Sequence, residues 1–329
     1  MLFKNRITAG DVAYGIKLAA EKFPQRTPVV LHDGVQGLAG VAGLDCRHLG
    51  MDQFVALDFA NTVFIYACSN HFNGGEFIRA LIERRGSFIP VWSFGPAMYV
   101  DHNRTAHRVL EAEWELQQRE GFAKWDSGPG DFINLCQAIE ATREKQGVFL
   151  EIGCYRGSSG SVALRYMREA EVYRDAYFFD VFDGFVYDSA LASADAVWSG
   201  THATEGISAV EQRLKRHALP KLGLNVFVKR HNIVEESIPP EISRIAVANI
   251  DVDLYEAVLA ALIKVAPLMV PGGIIIVEDP GHTPALVGAR VALDQFLATK
   301  AAGDFTPVHM ESGQTFLISN GNRPAALAA

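Results

Sequence analysis

From residue 131 onward, short apolar runs alternate with stretches in which apolar residues recur every three or four positions. The runs Val148–Ile152, Ala176–Val181, Asn225–Val228, Ile245–Ile250 and Gly273–Val277 read as strands. Between and around them the helical period predicts helices over Asp131–Lys145, Ser161–Ala170, Ile207–Ala218, Glu256–Ala266 and Val287–Thr299. In the first of these, Phe132, Leu135, Cys136 and Ile139 form the inward face. Two final runs, Phe305–His309 and Thr315–Ser319, read as an antiparallel pair. Alternating strands and helices predict an α/β fold: a doubly wound, mostly parallel sheet covered on both faces, with right-handed crossovers.

The first hundred residues give a weaker pattern. Thr27–Leu31, Met51–Leu57 and Val63–Cys68 are candidate strands, and Gly74–Arg85 a candidate helix with Phe77, Leu81 and Ile82 on one face. Gly34, Gly37, Gly40 and Gly43 mark loops, and His32-Asp33-Gly34 reads as a turn rather than a catalytic motif. His71, His102 and His107 have no partner at a metal-ligand spacing. A helix is expected from 104 to 125, with Val109 or Leu110 and Trp114 on one side and charges on the other. The turn cluster Asp126-Ser-Gly-Pro-Gly-Asp131 then sets the expected boundary. The chain divides on this reading into an accessory α/β region (1–125), a main domain (126–320) and a disordered tail (321–329).

Composition narrows the class. The chain is 49% hydrophobic and 21% charged, enough apolar residue for a substantial core. Its net charge of −8, without a basic run, argues against nucleic acid as partner. Cys46, Cys68, Cys136 and Cys154 form no C-x-x-C pair, so neither a zinc site nor a disulfide framework is expected. No run approaches the roughly 18 apolar residues of a membrane span, and no signal-peptide core is present. A cytoplasmic protein is the expectation.

Two stretches carry the candidate chemistry. In VANIDVDLYEAVLAALIKVAPLMVPGGIIIVEDPG, residues 247–281, two strands each end in carboxylates: Asp251 with Asp253, then Glu278 with Asp279. Neighbouring parallel strands open their carboxyl ends onto one crevice. Four acids there repel one another unless shared protons or a cation intervene, and a hard divalent metal is the simplest resolution. N-caps and turn acids are the plainer reading for Asp253 and Asp279. In VFLEIGCYRGSSG, residues 148–160, a strand runs into a glycine turn and a helix start. Gly153 and Gly157 free the backbone to turn and to approach a ligand, Ser158 or Ser159 can cap the helix, and Glu151 can accept from an amine or backbone donors. The spacing is neither G-x-G-x-x-G nor a phosphate loop, so a pyrophosphate cofactor is not favoured. Asp180 ends the next strand, where an acid takes the ribose hydroxyls of an adenosine ligand. Lys229, Arg230 and His231 end the third strand, as a solvated edge or a site wall.

EIGCYRGSSG followed by FFDVFDGF resembles S-adenosylmethionine-dependent methyltransferases with a seven-stranded sheet. IDVDLYEAVLAAL, PGGIIIVEDPGH and GARVALDQF resemble, more specifically, the macrocin O-methyltransferase (TylF-like) family over residues 126 to 320. The resemblance implies methylation of a hydroxyl on a small molecule, often a deoxysugar of a natural product, with S-adenosyl-L-methionine and Mg²⁺ or another divalent cation as cofactors. It also implies a homo-oligomer. Carried across, it makes Asp251, Glu278 and Asp279 the metal ligands and Asp253 the general base, with His282 a second candidate base. Glu151, Gly153, Tyr155, Gly157, Ser158, Ser159 and Asp180 become the cofactor pocket. Glu278 stands where the family usually has Asp, and Pro280 where it has Tyr. An Asp, Glu, Asp set also resembles a cephalosporin-hydroxylase-like and rhamnosyl O-methyltransferase group, which leaves a different chemistry as the alternative, and a non-catalytic binding module as a third. The loop from Tyr187 to Thr204 is expected to shape the acceptor pocket, with Trp198 either a lid or a packed side chain.

Overall fold

The computed structural model describes residues 7–32, 54–68, 71–91, 103–121, 128–192, 195–282 and 285–321. Two compact units divide the chain, residues 1–104 and 105–329.

The first unit is a three-stranded parallel sheet of order β1-β2-β3, formed by β1 (Thr27–His32), β2 (Thr62–Ala67) and β3 (Ser87–Pro90). Among the described residues two helices accompany it, α1 (Ala9–Lys22) and α2 (His71–Glu83). A reciprocal capping box starts α1: the Asp11 amide donates to Thr8 Oγ1 (3.2 Å) and the Thr8 amide to Asp11 Oδ2 (2.8 Å). The strand expected over Met51–Leu57 is not one in its described part. Residues 54–57 make a helical turn that drives Phe54 among Phe59, Phe64 and Phe77, with ring centroids 5.0–5.2 Å away. Leu81 is buried as expected, but Ile82 is 65% exposed. Adjacent helical residues point about 100° apart, so Phe77 and Leu81 share a face that Ile82 cannot join. His32 ends β1, whereas Asp33, the four punctuating glycines, Cys46 and His102 lie outside the described residues, as does the tail from 322.

The second unit begins almost at the start of α3 (Arg104–Arg119), read from the sequence as a connector. Val109 and Leu110 are both buried, and so are Glu113 and Gln117, each 1% exposed. Arg165 donates to Glu113 at 3.0 Å, and His217 Nε2 lies 3.5 Å from the same carboxylate. Burial pushes the Glu113 carboxyl up against the pull of Arg165, and burial lowers His217 to about 3, which keeps its imidazole neutral. A buried carboxylate facing a guanidinium ties α3 to this unit, because losing Arg165 strands the buried Glu113 charge.

The rest is a seven-stranded sheet of order β6-β5-β4-β7-β8-β10-β9. Its strands are β4 (Val148–Ile152), β5 (Ala176–Asp180), β6 (Val226–Arg230), β7 (Ile245–Ile250), β8 (Met269–Val277), β9 (Phe305–His309) and β10 (Thr315–Ser319). All neighbours are parallel except β10, antiparallel to both β8 and β9, as the sequence pattern predicts. The helices are α4 (Pro129–Ala141), α5 (Ser158–Glu169), the short α6 (Asp188–Leu191), α7 (Ile207–Lys215), α8 (Tyr255–Val265) and α9 (Val287–Leu297). Every residue of β7 is buried, as befits a central strand covered on both faces. Strand order reverses between β4 and β7, and there the crevice opens beyond the carboxyl ends. Among the described residues no helix is long and apolar enough to cross a membrane.

Candidate active site

At the β4/β7 reversal two backbones nearly touch. A Cβ on Gly153 would lie 1.7 Å from the carbonyl oxygen of Asp251, and Gly153 sits at φ +91°. Only glycine satisfies both conditions. The contact lies at a cleft, open to solvent, lined by Gly153, Tyr155, Asp180, Asp251 and Asp253 from the expected set. Tyr187, Phe185, His202 and Asn232 add walls the motifs did not identify individually, and His231, named at the end of the third strand, joins them. Their signal was positional: they lie in the loops after β5 and β6, and loops beyond strand ends line such crevices.

The cofactor-side residues fall into three groups. Asp180 accepts from the Tyr155 amide (2.7 Å) and the Phe182 amide (2.6 Å), one bond to each oxygen. Burial raises its carboxyl even so. Gly157 is the N-cap of α5 in the left-handed region, so Ser158 and Ser159 are the first helical residues and not the cap. Glu151 is wholly buried beneath the cleft, and Asn249 Nδ2 donates to its Oε1 at 3.0 Å. Burial pushes the Glu151 carboxyl up to about 7, against hydrogen bonds from Ser159 and Asn249. The raised value sets a sign. Below pH 4.5 the acid is neutral folded or unfolded; between 4.5 and 7 only the unfolded chain ionises it freely; above 7 the full cost of a buried charge is present. Glu151→Gln should therefore stabilise the free protein by roughly 3 kcal/mol at pH 8 and leave it nearly unchanged at pH 4. Chemical denaturation at the two pH values measures this, and an equal effect at both would remove the buried charge as its cause.

On the other side, single oxygens of Asp251, Asp253 and Asp279 lie within 4.8 Å of one another. Asp251 and Asp253 are two residues apart and reach the same side. Asp253 does so from a three-residue γ-turn: the Leu254 amide donates to the Val252 carbonyl at 2.5 Å, with Asp253 between them at φ +55°. Such a conformation costs a non-glycine residue on the order of 1–2 kcal/mol, and it aims the carboxylate into the cleft. Burial first, then the neighbouring carboxylates, push Asp251 and Asp253 well above the ordinary carboxylate range.

Glu278 is placed apart from that trio. Successive residues at a strand end point to opposite sides, so Asp279 reaches the cluster and Glu278 does not. Gln314 Nε2 donates to Glu278 Oε2 at 2.5 Å and to the Asp131 carbonyl at 3.3 Å, while Asn134 Nδ2 donates to Gln314 Oε1 at 2.7 Å. Burial and the nearby Asp131 raise the Glu278 carboxyl. His282 holds both ring nitrogens on acceptors, Nδ1 at 3.1 Å from Asp279 Oδ1 and Nε2 at 3.2 Å from the Ser312 carbonyl. The Asp279 bond raises it to about 9, so at neutral pH the ring is an imidazolium with two donated protons, unsuited to removing a third.

Of the basic strand end, Lys229 pairs with Glu241 and Arg230 with Asp183, whereas His231 turns inward, buried, its ring 4.6 Å from Phe179. Trp198 packs against the main core and donates from Nε1 to the Ala285 carbonyl at 3.2 Å.

The order of strands, the glycine turn and the acids at the reversal can be set beside known proteins. The solved O-methyltransferase NovP is 21% identical, with 58% of this chain and 80% of that chain aligned at a TM-score of 0.50. CalS11, a calicheamicin methyltransferase, is 20% identical over 69% of this chain and 98% of that one, at a TM-score of 0.48. At such identity the NovP likeness establishes the fold. Comparison with curated proteins gives no match. The model of the family described as macrocin-O-methyltransferase (TylF) matches residues 118–306, more than half of the chain and all of its cleft. With that match laid over a seven-stranded sheet whose acids meet at its reversal point, the chain belongs to the macrocin-O-methyltransferase (TylF) family.

Proposed function

We propose that the chain transfers the methyl group of S-adenosylmethionine to a hydroxyl of a small acceptor, a sugar unit of a glycosylated natural product, with the help of a divalent cation. The observation that carries this reading is the convergence of Asp251, Asp253 and Asp279 in the same crevice as the glycine turn and Asp180. Three carboxylates so close repel one another, and an oxygen-seeking dication fits that donor set. Asp251, Asp253 and Asp279 would hold it. Glu278, turned to Gln314, supports the trio from behind.

A bound divalent cation supplies Lewis acidity that makes a coordinated hydroxyl easier to deprotonate. The chain's own groups do the rest. Gly153, Tyr155 and Asp180 bind and orient the methyl donor at the strand ends. Asp253 takes the acceptor proton: a carboxylate has two oxygens, so one can face the cation while the other faces the hydroxyl. As that proton leaves, the acceptor oxygen forms its bond to the methyl carbon and the carbon–sulfur bond breaks, leaving neutral S-adenosylhomocysteine. His282 holds Asp279 in place through its charged hydrogen bond.

Titration calorimetry tests the reading. The chain should bind S-adenosylmethionine with or without chelator, and Mg²⁺ should raise its unfolding temperature by several degrees, a rise lost in Asp279→Asn. Absence of any heat with the methyl donor overturns the assignment. Binding of the donor with no response to Mg²⁺, Mn²⁺ or Ca²⁺ removes the cation from it.

A further inference from the structure

The segment after the short α6 returns to the cleft and presents a histidine there. Residues 200–204 lie against 182–185, immediately beyond Asp180. The Gly200 amide donates to the Phe185 carbonyl, the Phe185 amide to the Thr201 carbonyl and the Thr204 amide to the Phe182 carbonyl, each at 3.1 Å. The approach is so close that a Cβ on Gly184 would meet the Thr201 oxygen at 2.2 Å. Between these anchors His202 is held at φ +62°, a conformation that costs energy in any residue with a Cβ. Its ring packs 5.4 Å from Tyr155 and 4.9 Å from Phe185, centroid to centroid, and it lines the cleft beside Asp180.

The hydrogen bonds fix which ring nitrogen carries the proton. The Thr201 hydroxyl has one hydrogen and donates it to the Trp198 carbonyl at 2.6 Å. Its contact with His202 Nδ1 at 2.7 Å therefore has Nδ1–H as donor. In that tautomer Nε2 keeps its lone pair, and it has no hydrogen-bond partner among the described residues. Asp180 also offers acceptor capacity, since its two oxygens carry four lone pairs and the backbone amides of Tyr155, Phe182 and Val181 take three at most.

We infer that His202 is a cofactor-positioning residue: Nε2 and Asp180 form a two-acceptor clamp for the vicinal hydroxyls of an adenosine ribose. The inference rests on the assignment of the cleft to S-adenosylmethionine. A vicinal diol has two protons to donate, and Asp180 with His202 supplies two acceptors of different kind at one rim. Packing alone does not account for a strained backbone, an oriented tautomer and a free acceptor at the same residue.

The test compares S-adenosylhomocysteine with its 2′-deoxy and 3′-deoxy analogues on wild type and His202→Asn, a variant that tolerates the left-handed backbone and lacks an acceptor at the Nε2 position. Wild type should bind both deoxy analogues about tenfold more weakly than the parent, the value of a single hydrogen bond each, one discrimination set by Asp180 and the other by His202. In His202→Asn the discrimination set by His202 should vanish, and the parent should bind about tenfold more weakly than to wild type. Long-range proton–nitrogen spectra of the wild-type ring give a second readout that needs no variant. Nε2 should show an unprotonated resonance that moves upfield with the parent ligand and stays put with the analogue lacking the matched hydroxyl. Retention of both discriminations in the variant, or an Nε2 resonance that ignores the ligand, overturns the inference. Failure of wild type to bind S-adenosylhomocysteine strikes instead at the cleft assignment.

Discussion

Replacing Gly153 by alanine is expected to cost more than about 4 kcal/mol and to abolish binding of the methyl donor. The added methyl would sit 1.7 Å from the carbonyl oxygen of Asp251, well inside any tolerable contact. Neither side can give way cheaply. The Asp251 amide donates to the Ile152 carbonyl at 2.9 Å, and the Gly153 amide donates to the Phe179 carbonyl at 2.8 Å. Backing the two strand ends apart breaks bonds in a buried ladder, each costing the desolvation of a donor or acceptor. A φ of +91° adds strain for any residue with a Cβ. The same displacement moves the Asp251 carboxylate, so a variant that survives by local rearrangement should also lose its response to Mg²⁺. Thermal denaturation and calorimetry on one preparation decide the matter. A Gly153→Ala protein with wild-type stability and donor affinity would show that the two backbones separate without cost.

The second large effect is at Asp253. Asp253→Asn should lower turnover by about 10²–10⁴ while leaving donor affinity within roughly twofold, the pattern of a lost proton acceptor. It should also make the metal-free protein more stable, by about 1–2 kcal/mol at pH 8. The sign follows from the carboxyls. Burial and their neighbours raise Asp251 and Asp253, so the folded chain holds protons that the unfolded chain releases. Stability from this source is full at acid pH and falls as pH rises through the raised values. An amide at 253 removes one member of the repelling set and can donate to Asp279, so the gain should grow from pH 5 to pH 8. Saturating Mg²⁺ separates two roles. If it restores turnover in the variant, Asp253 serves only to hold the cation; if turnover stays low with the cation bound, as expected, Asp253 takes the proton.

A site built of repelling acids and a strained turn is stable only because the sheet around it is over-determined. β7 is buried along its whole length and paired on both sides, so the Asp253 γ-turn is carried by a ladder that is already secure. This is the usual relation between a rigid scaffold and the functional ends of its strands.

The alternation of strands and helices from residue 131 could be read from the sequence because its cause is local: side-chain periods of 2 and 3.6 are properties of the chain itself. The same holds for the antiparallel closing pair and for the glycine turn with Asp180, since turn chemistry and strand-end acids are encoded within a few residues. Other features depended on residues far apart in sequence. Glu113 and Gln117 have the polarity of a solvated helix face, and only Arg165 and His217, some fifty and a hundred positions later, make their burial sensible. Ile82 looks like a core residue until the sheet sets which face α2 turns inward. The sequence shows four acids in two pairs and supplies the reason they need company. The tertiary structure sorted them: opposite pointing at the end of β8 sends Asp279 to Asp251 and Asp253 and sends Glu278 to Gln314, the residue just before β10. The loop histidine at 202 was silent in the sequence for the same reason. Its tautomer and its place beside Asp180 come from Thr201, Gly184 and Phe185 folding back on the strand end, a tertiary event that no local period records.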